Sequence, residues 1–231
     1  MRALILAGGY GTRLGKLTKT IPKALIKVGG TPIIDRAIQK LTEIGITEIT
    51  INTHYLNEMV TDHLVTKFPN LNLRIVFEPK LLVTAGTLKA NIDWLATGDF
   101  IVMHGDNFFT DNLFGLVSRE MEPGILIRAC TFITDSPQNS GIFTISKENR
   151  VESFYEKQYE VKSVIANAAI YRFSQEIRNY ILNLGPSQTD ISIDVIPNIL
   201  NKIDLVELNG DFIDIGTRQG LYRANLAANL N

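Results

Sequence analysis

Cysteine and tryptophan occur once each in the 231 residues, as Cys130 and Trp94, and histidine three times, as His54, His63 and His104. A single cysteine excludes an internal disulfide and a cysteine-based metal site, and it points to a reducing compartment. The histidines show no paired metal-ligand spacing, and His104, ending an apolar run, reads as a packed residue. No apolar run approaches the roughly 20 residues of a membrane helix. The apolar stretch 3–7 after Met1-Arg2 is cut off by Gly8-Gly9, too early for an export signal. An excess of one charge is also missing: 23 basic against 24 acidic side chains leave a net charge of −1. Nothing global therefore draws the chain to nucleic acid or to an anionic membrane. A soluble, cytoplasmic protein with neither as a partner is expected. Its 45% hydrophobic content excludes a disordered chain.

The first half alternates short apolar runs with segments of helical period. Strands are predicted over 3–7 (ALILA), 48–52, 73–78 and 100–104 (FIVMH), and helices over 32–42, 57–67 and 87–95. Strands this apolar, alternating with helices, predict a parallel sheet with helices on both faces. The second half predicts strands over 125–132, 141–146, 150–154, 164–173 and 204–208, in a mixed sheet. Helices are predicted there over 175–184, 191–202 and 217–230. One compact α/β domain over 1–231 is expected, with Trp94 and Cys130 in its core. The oligomeric state stays open, a homo-oligomer included.

The strongest chemical signal is Gly8-Gly9-Tyr10-Gly11-Thr12-Arg13-Leu14, directly after the first strand. Glycines here let the backbone approach a ligand and turn N–H groups toward phosphate. It is not a Walker A loop: the register ending in Gly15-Lys16 begins with Tyr10 and continues into Leu17. It is not a dinucleotide fingerprint either, since Gly9 and Gly11 are followed by Leu14 where the third glycine belongs.

Downstream lies Ile21-Pro22-Lys23, and the two together resemble the signature of the sugar-1-phosphate nucleotidyltransferases. Five more segments follow in that family's order. They are 78–88 (EPKLLVTAGTL), Gly105-Asp106, Phe154-Tyr155-Glu156-Lys157, 166–171 (ANAAIY) and 212–217 (FIDIGT). The resemblance implies a Rossmann-like, GT-A-like three-layer α/β sandwich with a mostly parallel central sheet and a smaller mixed β elaboration. Residues 1–120 would form the nucleotide-binding half and 121–231 the sugar-phosphate-binding half. The implied reaction joins a sugar 1-phosphate to a nucleoside triphosphate (NTP), releasing pyrophosphate. Its nucleophile is already ionised, so the protein must align two polyanions and offset developing charge.

Site roles follow from the same resemblance. Arg13 and Lys23 would act on the phosphates, with Asp106 as the third catalytic residue. Leu6, Ala7, Gly8, Gly9, Gly11, Thr12, Glu78, Thr84, Ala85 and Gly86 would join Arg13 and Lys23 in binding the nucleotide. Asp106 and Asp214 would hold Mg²⁺, which one or two carboxylates, phosphate oxygens and water commonly bind. Asp106, Gly141, Glu156, Lys157 and Asn167 would meet the sugar phosphate. Glu78 reads either as an acceptor for guanine or as the end of its strand. Leu81, Val83, Asn107, Gln158 and Ala169 depart from the family pattern, Val83 and Ala169 replacing glycines. Gly15-Lys16, without the following proline of many relatives, resembles the heptose-1-phosphate guanylyltransferases. GTP with D-glycero-D-manno-heptose 1-phosphate or mannose 1-phosphate is the leading substrate pair. Uridylyl or thymidylyl transfer to a hexose 1-phosphate is the alternative, and a silent nucleotide-sugar sensor a third reading.

Overall fold

The computed structural model describes residues 1–148 and 150–230. They form an α/β fold whose contacts gather into two compact units interleaved along the chain. The first unit comprises Met1–Leu81, Met103–Leu113 and Gly210–Asn231; the second comprises Leu82–Val102 and Phe114–Asn209. Among the described residues no helix is long and apolar enough to cross a membrane.

The first unit is built on parallel strands Arg2–Leu6, Glu48–Thr53 and Asn72–Phe77, with Glu48–Thr53 between the other two. Ala3, Leu4 and Ile5 are buried in succession, as are Ile49, Thr50 and Ile51. That is the pattern of strands covered on both faces. Helices Ile33–Glu43 and Asn57–Lys67 supply the crossovers. The first of them buries Ile33, Ile34, Ala37, Ile38 and Leu41, one stripe at the helical period.

Among the strands of this unit that were not predicted, Asn107–Phe109 and Phe212–Asp214 pair antiparallel, with Asn107 opposite Asp214. Each is only three residues long, too short for any periodicity to register. Their pairing returns the end of the chain to the first unit. The helix Arg218–Ala228 then packs Ala224 and Leu221 onto Leu14, Ile26, Val28, Ile33, Phe108, Ile213 and Ile215.

The second unit carries the expected mixed sheet. Ile165–Phe173 runs antiparallel to Ile127–Ile133, and Gly141–Ile145 antiparallel to Val151–Glu156, while Ile203–Glu207 lies parallel to Ile127–Ile133. Cys130 is fully buried, whereas Trp94 is only half-buried. The single helix expected over 191–202 is instead a π turn, Ile191–Val195, followed by two short 3₁₀ turns. Pro197 lies within the first 3₁₀ turn, where its missing N–H and its ring bar a continuous α-helix.

The helix Val83–Leu95 begins four residues before the predicted 87, and its first residue has an unusual backbone. Val83 has φ +63°, and Ala169 has φ +52°. Both stand where the resembled family carries glycine, and both keep the left-handed backbone that glycine adopts freely. A left-handed L-residue costs about 1–2 kcal/mol, and a β-branched one is a true outlier. Val83 is also 41% exposed, so its side chain recovers little by packing. Val83→Gly is expected to raise Tm by about 2–4 °C, net of glycine's greater unfolded freedom. A lower Tm in a thermal scan would refute this.

Candidate active site

The floor of the site is the turn after strand Arg2–Leu6. Ala7 leaves the strand one residue earlier than predicted, and its N–H donates to Asn52 Oδ1 at 2.7 Å. Asn52 Nδ2 in turn donates to Glu78 Oε1 at 3.1 Å, both residues being buried. Glu78 thus stands one residue past the strand Asn72–Phe77, with one carboxylate oxygen bound to Asn52, a residue that sequence reasoning passed over. Gly8 packs on this pair: a Cβ there would stand 2.9 Å from Asn52 Nδ2. The Tyr10 hydroxyl and His54 Nε2 are 2.6 Å apart, and His54 Nδ1 lies 2.6 Å from the Glu78 carbonyl.

Gly11 turns the chain with φ +66° and heads the 3₁₀ segment Thr12–Lys19. Buried Leu14 anchors this segment, its N–H donating to the Gly11 carbonyl at 3.0 Å. A Cβ at Gly11 would come within 3.1 Å of Lys23 Cβ, so the absent side chain leaves room for the lysine. Pro22 is extended and precedes the 3₁₀ turn Lys23–Leu25, which directs the buried Lys23 inward.

Lys23 Nζ hydrogen-bonds Asp106 Oδ2 and lies 3.9 Å from Asp214 Oδ1. Arg13 Nη2 sits 3.5 Å from Asp214 Oδ2. Two cations and two carboxylates are thereby interleaved around one point. Strand Phe100–His104 delivers Asp106 through Gly105, whose N–H donates to the Leu6 carbonyl at 2.9 Å. The strand pair described above delivers Asp214, and the Ile215 N–H donates to the Asp106 carbonyl at 3.3 Å. Burial pushes the Asp106 carboxyl up, but Lys23, His104 and hydrogen bonds from Lys23 and its own backbone outweigh it. The net effect holds Asp106 below its ordinary 3.8. Arg13 is different: its side chain is 64% exposed, and so loose an ion pair is worth little and leaves it free to turn toward a ligand.

A cleft of about 210 Å³ opens over this cluster. It is lined by Leu6, Ala7, Gly9, Gly11, Thr12, Arg13, Lys23 and Asp106 from the predicted set, and by Ala24, Gly105 and Gly216 besides. Whole-ligand pockets run to about 300–1,000 Å³, so this volume suits phosphate groups rather than a complete nucleotide. Gly8, Glu78, Thr84, Ala85 and Gly86 do not line it.

In the second unit, Thr84–Gly86 opens the helix Val83–Leu95 and is engaged locally. The Ala85 and Gly86 N–H groups donate to the Thr189 carbonyl at 2.7 and 3.2 Å, and Thr84 Oγ1 accepts the Ile191 N–H at 2.8 Å. Gly141 and Glu156 are directly opposed in adjacent strands, and a Cβ at Gly141 would stand 2.6 Å from Glu156 Oε2. Lys157, at φ +52°, folds back so that its Nζ lies 3.1 Å from Glu156 Oε1. Asn167 Nδ2 donates to the Tyr171 hydroxyl at 2.7 Å, and Asn167 Oδ1 accepts the Ala169 N–H at 3.0 Å. Tyr171 was not singled out by its motif. Burial raises its pKa far beyond the ordinary tyrosine value, so it stays protonated.

The nucleotidyl transferase family profile matches residues 2–230. The chain belongs to this family. It is 31% identical to the bifunctional protein GlmU of Methanococcus aeolicus over 97% of its own length and 54% of that protein's. It is 30% identical to the mannose-1-phosphate guanyltransferase of Schizosaccharomyces pombe, over 94% of this chain and 61% of the relative. The chain therefore spans little more than half the length of these curated relatives. Among solved structures, a Bacillus anthracis protein provisionally assigned as a glucose-1-phosphate thymidylyltransferase, in complex with sucrose, superimposes with a TM-score of 0.88 at 29% identity. That match covers 100% of this chain and 96% of the other. The resemblance drawn from the motifs holds at the level of the family, and so does the α/β fold class.

For this member of the family the donor set fits magnesium. Asp106 and Asp214 offer hard carboxylate oxygens that share one ammonium, so a cation is already accommodated between them. Among the described residues no group of three or more His, Cys, Asp or Glu could hold a metal. Two carboxylates would therefore supply only part of a coordination shell, which phosphate oxygens and water would complete.

Gly216 tests the cluster without disturbing the core. A Cβ there would stand 2.6 Å from Arg13 Nη2, 2.8 Å from Asp214 Oδ1 and 2.9 Å from Lys23 Nζ. All three are side-chain tips that can move aside at small cost to folding. Gly216→Ala is expected to lower turnover by about tenfold or more, as displaced charges do in a preorganised site. Tm should stay within about 2 °C. An activity loss matched by a large fall in Tm would contradict this.

Proposed function

We propose that this chain transfers a guanylyl group from GTP to mannose 1-phosphate or D-glycero-D-manno-heptose 1-phosphate, with magnesium, giving a GDP-sugar and pyrophosphate. The observation that carries this reading is the bridge made by Lys23 between Asp106 and Asp214 beside a glycine loop. It provides cations for phosphate and carboxylates for a metal at one place. The similarity to the Schizosaccharomyces pombe mannose-1-phosphate guanyltransferase supports the choice of base and sugar.

In this mechanism the sugar phosphate oxygen attacks the α-phosphorus in line as the bond to the bridging oxygen breaks. The electron pair leaves on pyrophosphate, and no strong general base is needed. Backbone N–H groups of the Gly9–Thr12 turn receive the triphosphate. Lys23 offsets the two carboxylates so that they can share a site with a polyanion. Arg13, exposed and loosely paired, turns its fork onto the phosphate that departs. Magnesium held by Asp106 and Asp214 would supply Lewis-acid neutralisation of phosphate charge. Glu156 and Asn167 accept and donate to sugar hydroxyls, and Lys157 meets the sugar's phosphate.

The test is pyrophosphate release with the four NTPs against a panel of sugar 1-phosphates. GTP with a manno-configured sugar 1-phosphate should rank first. A pyrimidine nucleotide ranking first would overturn the guanylyl part. No turnover with any pair would overturn the transferase reading in favour of a nucleotide-sugar sensor.

A further inference from the structure

Arg218 is the first residue of the helix Arg218–Ala228, whose N-cap Thr217 accepts the Gly220 N–H at 3.0 Å. A helix N-terminus is the positive end of the dipole, so a cation there is unfavourable. No acidic residue stands in the first turn to offset it. Asp214, four residues back, is engaged by Arg13 and Lys23. Among the described residues Arg218 makes no ion pair, and it is exposed. Its charge therefore serves neither the helix nor a salt bridge.

The guanidinium has a definite position nonetheless. A Cβ on Gly15 would stand 3.2 Å from Arg218 Nη2. Gly15 has φ +66° and ψ −119°, a backbone that side chains avoid, and it kinks Thr12–Lys19 at that point. Arg13, two residues earlier, makes the reverse contact, its Nη2 lying against Gly216. The two arginines cross: one reaches from the glycine-loop segment to Gly216, the other from the Gly216 segment back to Gly15. Both Arg13 and Gly216 line the cleft. Gly15 and Arg218 do not themselves line it, but each lies two residues along the chain from one that does, and Arg13 has a carboxylate partner where Arg218 has none.

We propose that Arg218 is a phosphate-binding residue of this cleft, holding the β,γ-diphosphate part of the nucleotide that departs as pyrophosphate. This rests on the nucleotidyl-transfer reading. Two forked cations match an anion with several phosphate oxygens on adjacent phosphorus atoms, better than a single phosphate monoester. As the bond from the α-phosphorus to the bridging oxygen breaks, Arg218 offsets the charge gathering on the leaving diphosphate. None of the motifs quoted above includes it.

Arg218→Ala, Arg218→Gln and Arg218→Lys are compared with the unaltered chain in three measurements. These are forward turnover with NTP varied, reverse turnover with pyrophosphate varied, and pyrophosphate binding by calorimetry at fixed ionic strength. Arg218→Ala and Arg218→Gln should raise KM for NTP and for pyrophosphate by about tenfold or more and weaken pyrophosphate binding alike. KM for the sugar 1-phosphate should stay within about twofold, and Arg218→Lys should recover part of the loss. Lys67→Ala, which removes the same charge from the end of helix Asn57–Lys67, should change none of these. Pyrophosphate binding and KM unchanged in folded Arg218→Gln, or weakened equally by Lys67→Ala, would overturn the proposal. If the unaltered chain turns over no substrate pair yet binds pyrophosphate through Arg218, the transfer reading fails and the Arg218 site stands.

Discussion

Lys23→Ala is expected to lower kcat by about 10²–10³-fold, the scale on which removing one preorganised charge from a developing anion is felt. The lysine is buried, touches Asp106 and stands 3.9 Å from Asp214, so its loss leaves Asp106 without its cation and Asp214 with only the loose Arg13 pair. A second signature follows from protonation. Burial raises the Asp106 pKa, and Lys23 is the largest of the opposing influences. Without Lys23 the Asp106 pKa should move upward, and the acid limb of the pH–rate profile should move with it to higher pH. In the unaltered chain the folded-state value lies below 3.8. The stability that Asp106 contributes is therefore complete above that ordinary value and is lost as pH falls through the folded-state one. Profiles of kcat over a range of pH, with thermal melts beside them, check both parts. A rise in KM with kcat and acid limb unchanged would show that Lys23 holds only the ground state.

Asp106→Asn should reduce transfer by more than about 10²-fold at physiological magnesium while the fold survives. The amide keeps the size of the side chain and one oxygen that Lys23 can still bond, but not the charge a hard cation requires. The Asp106 side chain is 28% exposed at the end of a strand, so little core packing depends on it, and Tm should move by less than about 2 °C. Raising magnesium should recover part of the activity if the loss is one of metal affinity. Transfer within about tenfold of the unaltered chain, at any magnesium concentration, would remove Asp106 from the metal-binding set.

Much of the site was visible in the order of motifs. Gly9, Gly11, Arg13, Lys23 and Asp106, named from their motifs, line one cleft. Other residues could be named but not placed. Thr84, Ala85 and Gly86 carry a family-like motif, yet the Ala85 and Gly86 N–H groups are bound by Thr189, about a hundred positions onward. Glu78 was readable as a polar residue ending an apolar strand, but not its bond to Asn52. Arg218 carried no signal at all, because its meaning lies in the backbone of Gly15.

The amino-acid sequence by itself determined the parallel strands of the first unit, their crossover helices, the glycine turn and the family. Each of these depends on neighbours: a run of apolar residues, a helical stripe, a Gly-x-Gly turn, a proline before a lysine. Only the tertiary structure decided that Asn107–Phe109 pairs with Phe212–Asp214, that 191–202 breaks into separate turns, and that Val83 and Ala169 hold a left-handed backbone in place of glycine. The physical reason is the range of the interactions. Arg13 and Asp214 lie 201 positions apart, and no local preference selects that contact. The three-residue strands that permit it are stabilised by what they pack against, not by their own composition.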